Sequence, residues 1–181
     1  PFGRYAKQGQ LDVIYAYYMD SDYAESIAAA GRYIRLHPRD EHVDYAYYMK
    51  GYVGFSRDKT WLQQLLPNDP SARDLSGLRQ AFIDFDQLAL YFPHSPYTPD
   101  ARARMFYIRN ILAKHELNVA KFYMKRQAYV AAANRANYLV SHFQGAPQVK
   151  PALKLMVKAY TQLGEHQLAQ QTQRVYDLNY S

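Results

Sequence analysis

The chain is 181 residues long, with 49% hydrophobic and 21% charged residues, no cysteine and a formal net charge of +6. That length and balance suit one domain or a short array with a real core and exclude disorder as the default, while the missing cysteines exclude disulfides, thiolate metal sites and thiol nucleophiles. Tyrosine is the outlier: 19 Tyr against 8 Phe and 1 Trp favours aromatic surfaces that are apolar on one side and wet at the tip, as in grooves and interfaces.

Residues 7 to 40 fit one 34-residue helical-hairpin repeat, the tetratricopeptide length, in which large and small residues interlock between two antiparallel helices. Val13, Ile14 and Tyr17 are read as the inner stripe of the first helix, and Asp20-Ser21-Asp22 as its turn. Tyr23, Ser26, Ala30 and Tyr33 face back from the second helix, the small residues letting the helices approach, and Pro38 closes the unit.

A second unit covers 43–95, with Tyr47, Gly51 and Gly54 on one stripe and Ala81, Phe85 and Leu88 on the returning helix. It exceeds the template by roughly 17 residues, which fall in an insert at 57–75. Leu66-Pro67-Asn68-Asp69-Pro70 forbids helix there, and Trp61, Leu62, Leu65 and Leu66 can make one amphipathic turn. Two readings stay open: a surface loop folded onto its own repeat, or an element that docks a partner through Trp61. Lys50 stands where the template prefers leucine.

The joints between units repeat one spacing. An alanine (Ala46, Ala101, Ala152) follows eight residues after Pro38, Pro93 and Gln144. In the middle copy, Pro93 ends a helix near Tyr91; Thr98 is placed to cap the next with its hydroxyl, Pro99 suits its first position, and Asp100 favours the positive end of its dipole. From Pro99 to His142 no further proline or glycine occurs, and the spacing predicts one long helix or two joined end to end. A third hairpin sits late in 98–146: Val119, Ala120 and Tyr123, a turn near Gln127, then Tyr129, Ala132, Ala136 and Leu139. The last, at 148–181, places Leu153, Met156, Val157 and Tyr160 before Leu163-Gly164, with Ala169 and Val175 returning.

The fold class is therefore all-α: one tetratricopeptide-type helical-hairpin solenoid over 1–181, a right-handed superhelix with a concave face. The positions flanking the core stripe of each first helix line that face. They hold Tyr15, Tyr18 and Met19 in the first unit and Tyr45, Tyr48, Tyr52 and Phe55 in the second, a trough for an extended apolar or aromatic peptide unless half of them are ordinary core.

Catalytic constellations are missing from the sequence. The six histidines are scattered with no His-Glu-x-x-His spacing, no phosphate-cradling glycine loop or G-x-S-x-G turn occurs, and Asp84 and Asp86 point to different sides of one helix. No enzyme activity and no cofactor or metal is expected. No run of 18 apolar residues exists to span a membrane, and the start at Pro1, without methionine or signal sequence, suggests a piece of a longer product. Lys114, Lys121 and Lys125 share a helical face, and Arg32 and Arg35 flank the first joint. Their density suits acidic side chains of a partner protein better than nucleic-acid phosphates.

Four phrases then carry a resemblance through most of the chain: Leu11-Asp12-Val13-Ile14-Tyr15-Ala16-Tyr17-Tyr18; Arg32-Tyr33-Ile34-Arg35-Leu36-His37-Pro38 with Val43-Asp44-Tyr45-Ala46; Tyr91-Phe92-Pro93-His94-Ser95-Pro96-Tyr97; and Val130-Ala131-Ala132-Ala133-Asn134-Arg135. They resemble the BamD (ComL) family, the tetratricopeptide lipoproteins of the bacterial outer-membrane β-barrel assembly machine (the BAM complex). The resemblance implies a non-catalytic scaffold of five repeats at the periplasmic face of the outer membrane. Its implied partners are the periplasmic POTRA domains of the barrel insertase, held through the C-terminal repeats, accessory assembly lipoproteins, and the C-terminal segments of unfolded outer-membrane proteins. It implies no nucleic acid, and membrane attachment only through a lipid anchor absent from this chain, as the first repeat is. Ser141-His142-Phe143-Gln144 stands where relatives tend to read Arg-Asp-Tyr-Pro, which questions a basic insertase contact at that joint; Arg135 could substitute. Two other classes stay open on the residues alone: the helical superstructure of a larger peptidoglycan-cleaving enzyme, and a nucleic-acid-binding helical repeat.

Overall fold

A computed structural model describes residues 2–57 and 74–180. They form α1 (Phe2–Met19), α2 (Tyr23–Leu36), α3 (Val43–Arg57), α4 (Ser76–Tyr91), α5 (Thr98–Lys125), α6 (Tyr129–His142), α7 (Val149–Gln162) and α8 (His166–Tyr180). Among the described residues there is no strand, and no helix is long and apolar enough to cross a membrane. Chain neighbours pack on one another, α1 on α2, α2 on α3, α3 on α4, α6 on α7 and α7 on α8, as in tetratricopeptide-like helical hairpins. Two compact units result: one holds α1 to α4 with α5 as far as Ile108, the other begins at Arg109 and holds the rest of α5 with α6 to α8.

The recurring spacing corresponds to one hydrogen-bond ladder built three times. His37 N–H donates to the Tyr33 carbonyl at 2.8 Å, Asp40 N–H to His37 at 3.1 Å and Val43 N–H to Asp40 at 3.2 Å. Phe92, Ser95 and Thr98 repeat the pattern onto Leu88, Phe92 and Ser95, and Phe143, Ala146 and Val149 repeat it onto Leu139, Phe143 and Ala146. The C-caps His37, Phe92 and Phe143 share nearly the same backbone angles, with φ between −131° and −121°. Ala46, Ala101 and Ala152 are all fully buried, so a small residue after the ladder lets the next helix close against its neighbours. In the middle joint, Thr98 does not cap α5. Its hydroxyl donates instead to the Phe92 carbonyl at 2.7 Å, a second bond to an oxygen that already accepts the Ser95 N–H, so the buried hydroxyl closes the bend.

Turns inside the hairpins have a second common design. Ser21, Gln127 and Gly164 take left-handed backbone angles, φ 64°, 60° and 75°, and the next residue's N–H reaches back five positions: Asp22 to Tyr17, Ala128 to Tyr123 and Glu165 to Tyr160. This closure satisfies carbonyls that the ending helix leaves open.

In the first unit, Leu11, Ile14, Ala30, Tyr33, Val43, Ala46, Met49 and Val53 form one cluster. Ser26 is buried with its hydroxyl donating to the Ile14 carbonyl at 2.7 Å, which permits close α1–α2 packing without an unsatisfied group. Val13 departs from its expected inward place: it is 45% exposed, and the inner stripe runs through Leu11, Ile14 and the flank of Tyr18, one helical step away. Gly51 and Gly54 do pack inward, opposite Phe85 and Ala81. Lys50 supplies no apolar contact of the expected leucine kind; its ammonium pairs with the buried Asp84 at 2.7 Å. In the second unit, Ala132, Ala136, Leu139, Ala152, Leu153, Met156 and Ala159 are buried and hold α6 and α7 together.

Candidate functional site

In the first unit, α1, α3 and the start of α5 each present residues three, four or seven apart to a shared face. From α3 come Tyr45, Tyr48, Tyr52 and Phe55; from α1, Tyr15 and Tyr18; from the entry and first turns of α5, Tyr97, Asp100, Arg104 and Tyr107. Their rings touch in sequence. Tyr15 lies 6.2 Å from Tyr18, Tyr18 meets Tyr52 edge-on at 5.3 Å, Tyr52 stacks on Tyr48 at 5.6 Å, Tyr48 on Tyr97 at 5.0 Å, and Tyr97 tilts against Tyr45 at 5.7 Å. Phe55 continues the row edge-on to Tyr107 at 6.0 Å. Tyr18 and Tyr52 are also joined hydroxyl to hydroxyl at 3.4 Å across 34 residues, the repeat length predicted from the sequence.

Tyr18, Tyr45, Tyr48 and Tyr52 are neither sealed in nor free. Each is partly buried, one side packed on the core cluster, so the same rings close the core and pave the surface. Tyr15 is more open, at 49% exposed, and Met19 is exposed beyond it.

A polar knot pins the centre of this face. Asp100 Oδ2 accepts from the Tyr48 hydroxyl at 2.7 Å and from Arg104 Nε at 2.6 Å, while the Arg104 guanidinium lies 4.6 Å over the Tyr52 ring and 5.3 Å over Phe55. Burial, reinforced by the Asp100 bond and charge, pushes the Tyr48 phenol above its ordinary range. Burial would raise Asp100, but the hydrogen bonds from Arg104 and Tyr48 outweigh it and hold the carboxyl below its ordinary range. Burial likewise raises the Tyr45 phenol, helped by Tyr97, Tyr15 and Asp12. At neutral pH these phenols are neutral hydrogen-bonding groups, and nothing about them is arranged for proton transfer.

Beside Tyr45 and Tyr97 the face opens into a cleft of about 280 Å³ with Gln8, Leu11, Asp12 and His42 on its other walls. A neighbouring cleft shares Gln8, Leu11 and His42 and reaches Asp40. There Asp40 accepts from Lys7 Nζ at 2.8 Å, the Tyr33 hydroxyl at 2.7 Å and the His42 N–H at 3.1 Å. The bonds from Lys7 and Tyr33 hold its carboxyl well below the usual range against the opposing effect of burial.

The remaining expected residues lie elsewhere. Arg32 and Arg35 are both exposed on α2, and Arg32 borders a separate groove with Gly9, Val13 and Tyr33. Arg135, in the second unit, bonds at 3.0 Å to the buried carboxylate of Glu116, with 40% of its side chain still exposed. Trp61 lies outside the described residues. Sequence reasoning missed Tyr97, Asp100, Arg104 and Tyr107 as part of the face. The signal was present in Tyr97, Asp100, Arg104 and Tyr107 at helical spacing, which repeats the spacing of Tyr45, Tyr48, Tyr52 and Phe55.

The family model described as YfiO, outer membrane lipoprotein, matches residues 1–175. A protein of Neisseria meningitidis serogroup A named outer membrane protein assembly factor BamD is 42% identical over 180 residues, covering 99% of this chain and 67% of its own length. The proteins of the same name from Vibrio cholerae and Haemophilus influenzae are 37% and 36% identical over 179 residues, covering 74% and 68% of their own lengths. Matched along nearly all of its residues by proteins that are named for assembly and not for a reaction, this chain belongs to the BamD family, a family of assembly factors rather than enzymes.

Proposed function

We propose that this chain is the helical scaffold of an outer-membrane protein assembly factor, and that its tyrosine face holds an extended segment of an unfolded outer-membrane protein. The observation that carries the reading is the continuous run of half-buried rings from Tyr45 through Tyr97, Tyr48 and Tyr52 to Tyr18 across three helices. Such a surface offers aromatic contact area at little conformational cost, with its central hydroxyls already held by Asp100 and by one another. The names of the relatives support a role at the outer membrane. In this reading other surfaces, Arg135 and the exposed Arg32 and Arg35 among them, receive the POTRA domains of the insertase and accessory lipoproteins. Attachment to the periplasmic face of the membrane is through a lipid anchor, as the family description suggests.

The test is binding of a fluorescent peptide from the C-terminal strand of an outer-membrane barrel to the wild type and to Tyr48→Ala/Tyr52→Ala, with folding checked by circular dichroism. A loss of at least tenfold is expected from removing two rings worth roughly 1 kcal/mol each beyond their area. Unchanged affinity in a folded variant would remove the face from the binding site. For the scaffold role, pull-down of the full-length protein from solubilised outer membranes should retain the insertase, and its absence would count against that role.

A further inference from the structure

The net positive charge of the chain belongs to one of its units. Residues 109–181 hold ten Lys and Arg against three Asp and Glu, a balance of +7, whereas residues 1–108 hold twelve against thirteen, a balance of −1. Two of the three acids are already engaged: Glu116 is buried against Arg135, and Asp177 accepts from Gln173 at 2.7 Å. Charge divided so unevenly between two halves points to an anionic partner for the second.

Part of that charge is arranged on α7. Lys150, Lys154 and Lys158 are exposed and follow one another at one helical turn, a row about 12 Å long. Rings of α8 back two of them: Lys150 Nζ stands 5.9 Å from the Tyr176 centroid and 5.6 Å from Tyr180, and Lys154 Nζ stands 5.1 Å from Tyr176. Among the described residues, none of the three forms an ion pair with a carboxylate. The rings steady the lysine stems and leave the ammonium groups in water.

Lysine is a compact point charge that meets phosphate oxygens from any side, whereas the two oxygens of a protein carboxylate are matched best by the planar fork of arginine, which this row lacks. Lysine and tyrosine together are also the side chains that settle at a membrane–water boundary, rings and stems at headgroup level and charges outward. We infer that the α7–α8 face is a contact surface for anionic phospholipid, the three lysines meeting headgroup phosphates with Tyr176 and Tyr180 beside them. This goes beyond the peptide-binding reading and takes from the proposed function only the membrane attachment that brings the chain to a lipid surface. Each lysine adds to the attraction of a negative leaflet, and salt weakens it.

The experiment is flotation of the unanchored 181-residue chain with vesicles of phosphatidylcholine alone or of phosphatidylcholine and phosphatidylglycerol at three to one. Binding is expected to the anionic vesicles only, and high salt should abolish it. Lys150→Gln/Lys154→Gln/Lys158→Gln should lower partitioning roughly tenfold or more, while Lys114→Gln/Lys121→Gln/Lys125→Gln, which removes the same charge from α5, should lower it no more than about threefold. All six positions are exposed, so the fold is kept. Tyr48→Ala/Tyr52→Ala should float like the wild type, so a failure of the peptide-binding reading leaves this inference standing. No flotation with anionic vesicles, equal flotation with neutral ones, or equal losses from the two triple variants overturns it. So does displacement by millimolar inorganic phosphate, the mark of a site for the free ion, or row-dependent binding of polyglutamate without vesicle binding, the mark of an acidic protein partner.

Discussion

Lys50 and Asp84, 34 residues apart in the chain, meet at 2.7 Å between Nζ and Oδ1, with the Asp84 side chain 4% exposed and Lys50 25% exposed. Gln80 donates a further bond to the same oxygen at 3.2 Å. The pair ties α3 to α4 where the repeat pattern would place leucine.

Removing one partner leaves a buried charge without its counter-ion, which costs more than the pair itself contributes. Lys50→Leu is expected to lower the unfolding free energy by about 3 kcal/mol, the lower end for such pairs because part of the lysine remains wet. Lys50→Leu/Asp84→Leu should recover most of the loss, since an apolar pair of similar volume needs no compensation. Urea unfolding of the three proteins reads this directly; a double variant no more stable than the single one would contradict it.

Gly51 gives a second test of the same interface. A methyl group there would stand 2.8 Å from Phe85 Cδ1, inside van der Waals contact with a ring buried on all sides, whereas one at Gly9 would meet nothing within 4 Å. Gly51→Ala should destabilise by about 1–3 kcal/mol through overpacking, and Gly9→Ala should stabilise by about 0.5–1 kcal/mol through helix propensity. Thermal melts of both variants should move in opposite directions.

Asp40 predicts the acid limb of stability. Its folded carboxyl is depressed by the Lys7 and Tyr33 bonds, so its contribution is complete above the ordinary carboxylate pKa of about 3.9 and is lost as pH falls through the lower folded value. Wild type should thus lose stability steeply from about pH 4 downward. Asp40→Asn should be less stable at pH 7 by about 1.5–3 kcal/mol, the worth of hydrogen bonds to a charged acceptor, and show a shallower acid limb. Parallel pH curves for the two proteins would exclude Asp40 as the cause.

Ser21 and Gln127 hold left-handed angles that glycine adopts freely and that Gly164 holds in the equivalent turn. Ser21→Gly and Gln127→Gly should each stabilise by an amount on the order of 0.5–1 kcal/mol, the strain relieved less the extra freedom glycine gives the unfolded chain. Chemical denaturation midpoints check it.

The joints were legible because proline, the buried alanine and the residues between them act within a few positions of one another. The 34-residue period was legible from the recurrence of large and small residues along the chain, and Tyr18 and Tyr52 express it as a direct contact. What escaped was long-range. Nothing near Thr98 indicates that its hydroxyl turns back to Phe92 rather than forward into α5, and nothing near Val13 fixes which of two adjacent helical positions meets α2. Arg104 looks like a solvated helix cation until Tyr52 and Phe55, about fifty residues earlier, are brought beneath it. Half-burial of the tyrosines was equally invisible, since periodicity assigns a ring to a helix side but not to a depth.

The choice of phenols over phenyls along this face has a kinetic consequence. A bare strip of phenyl rings would adhere to its own copies, whereas phenols such as the half-exposed Tyr15 add polar groups that lower that tendency. Grip then comes from the summed area of many shallow contacts, and letting go can proceed one ring at a time. In the binding reading proposed above, such a surface suits brief custody of a sticky strand and its quick handover, where tighter embrace would stall traffic.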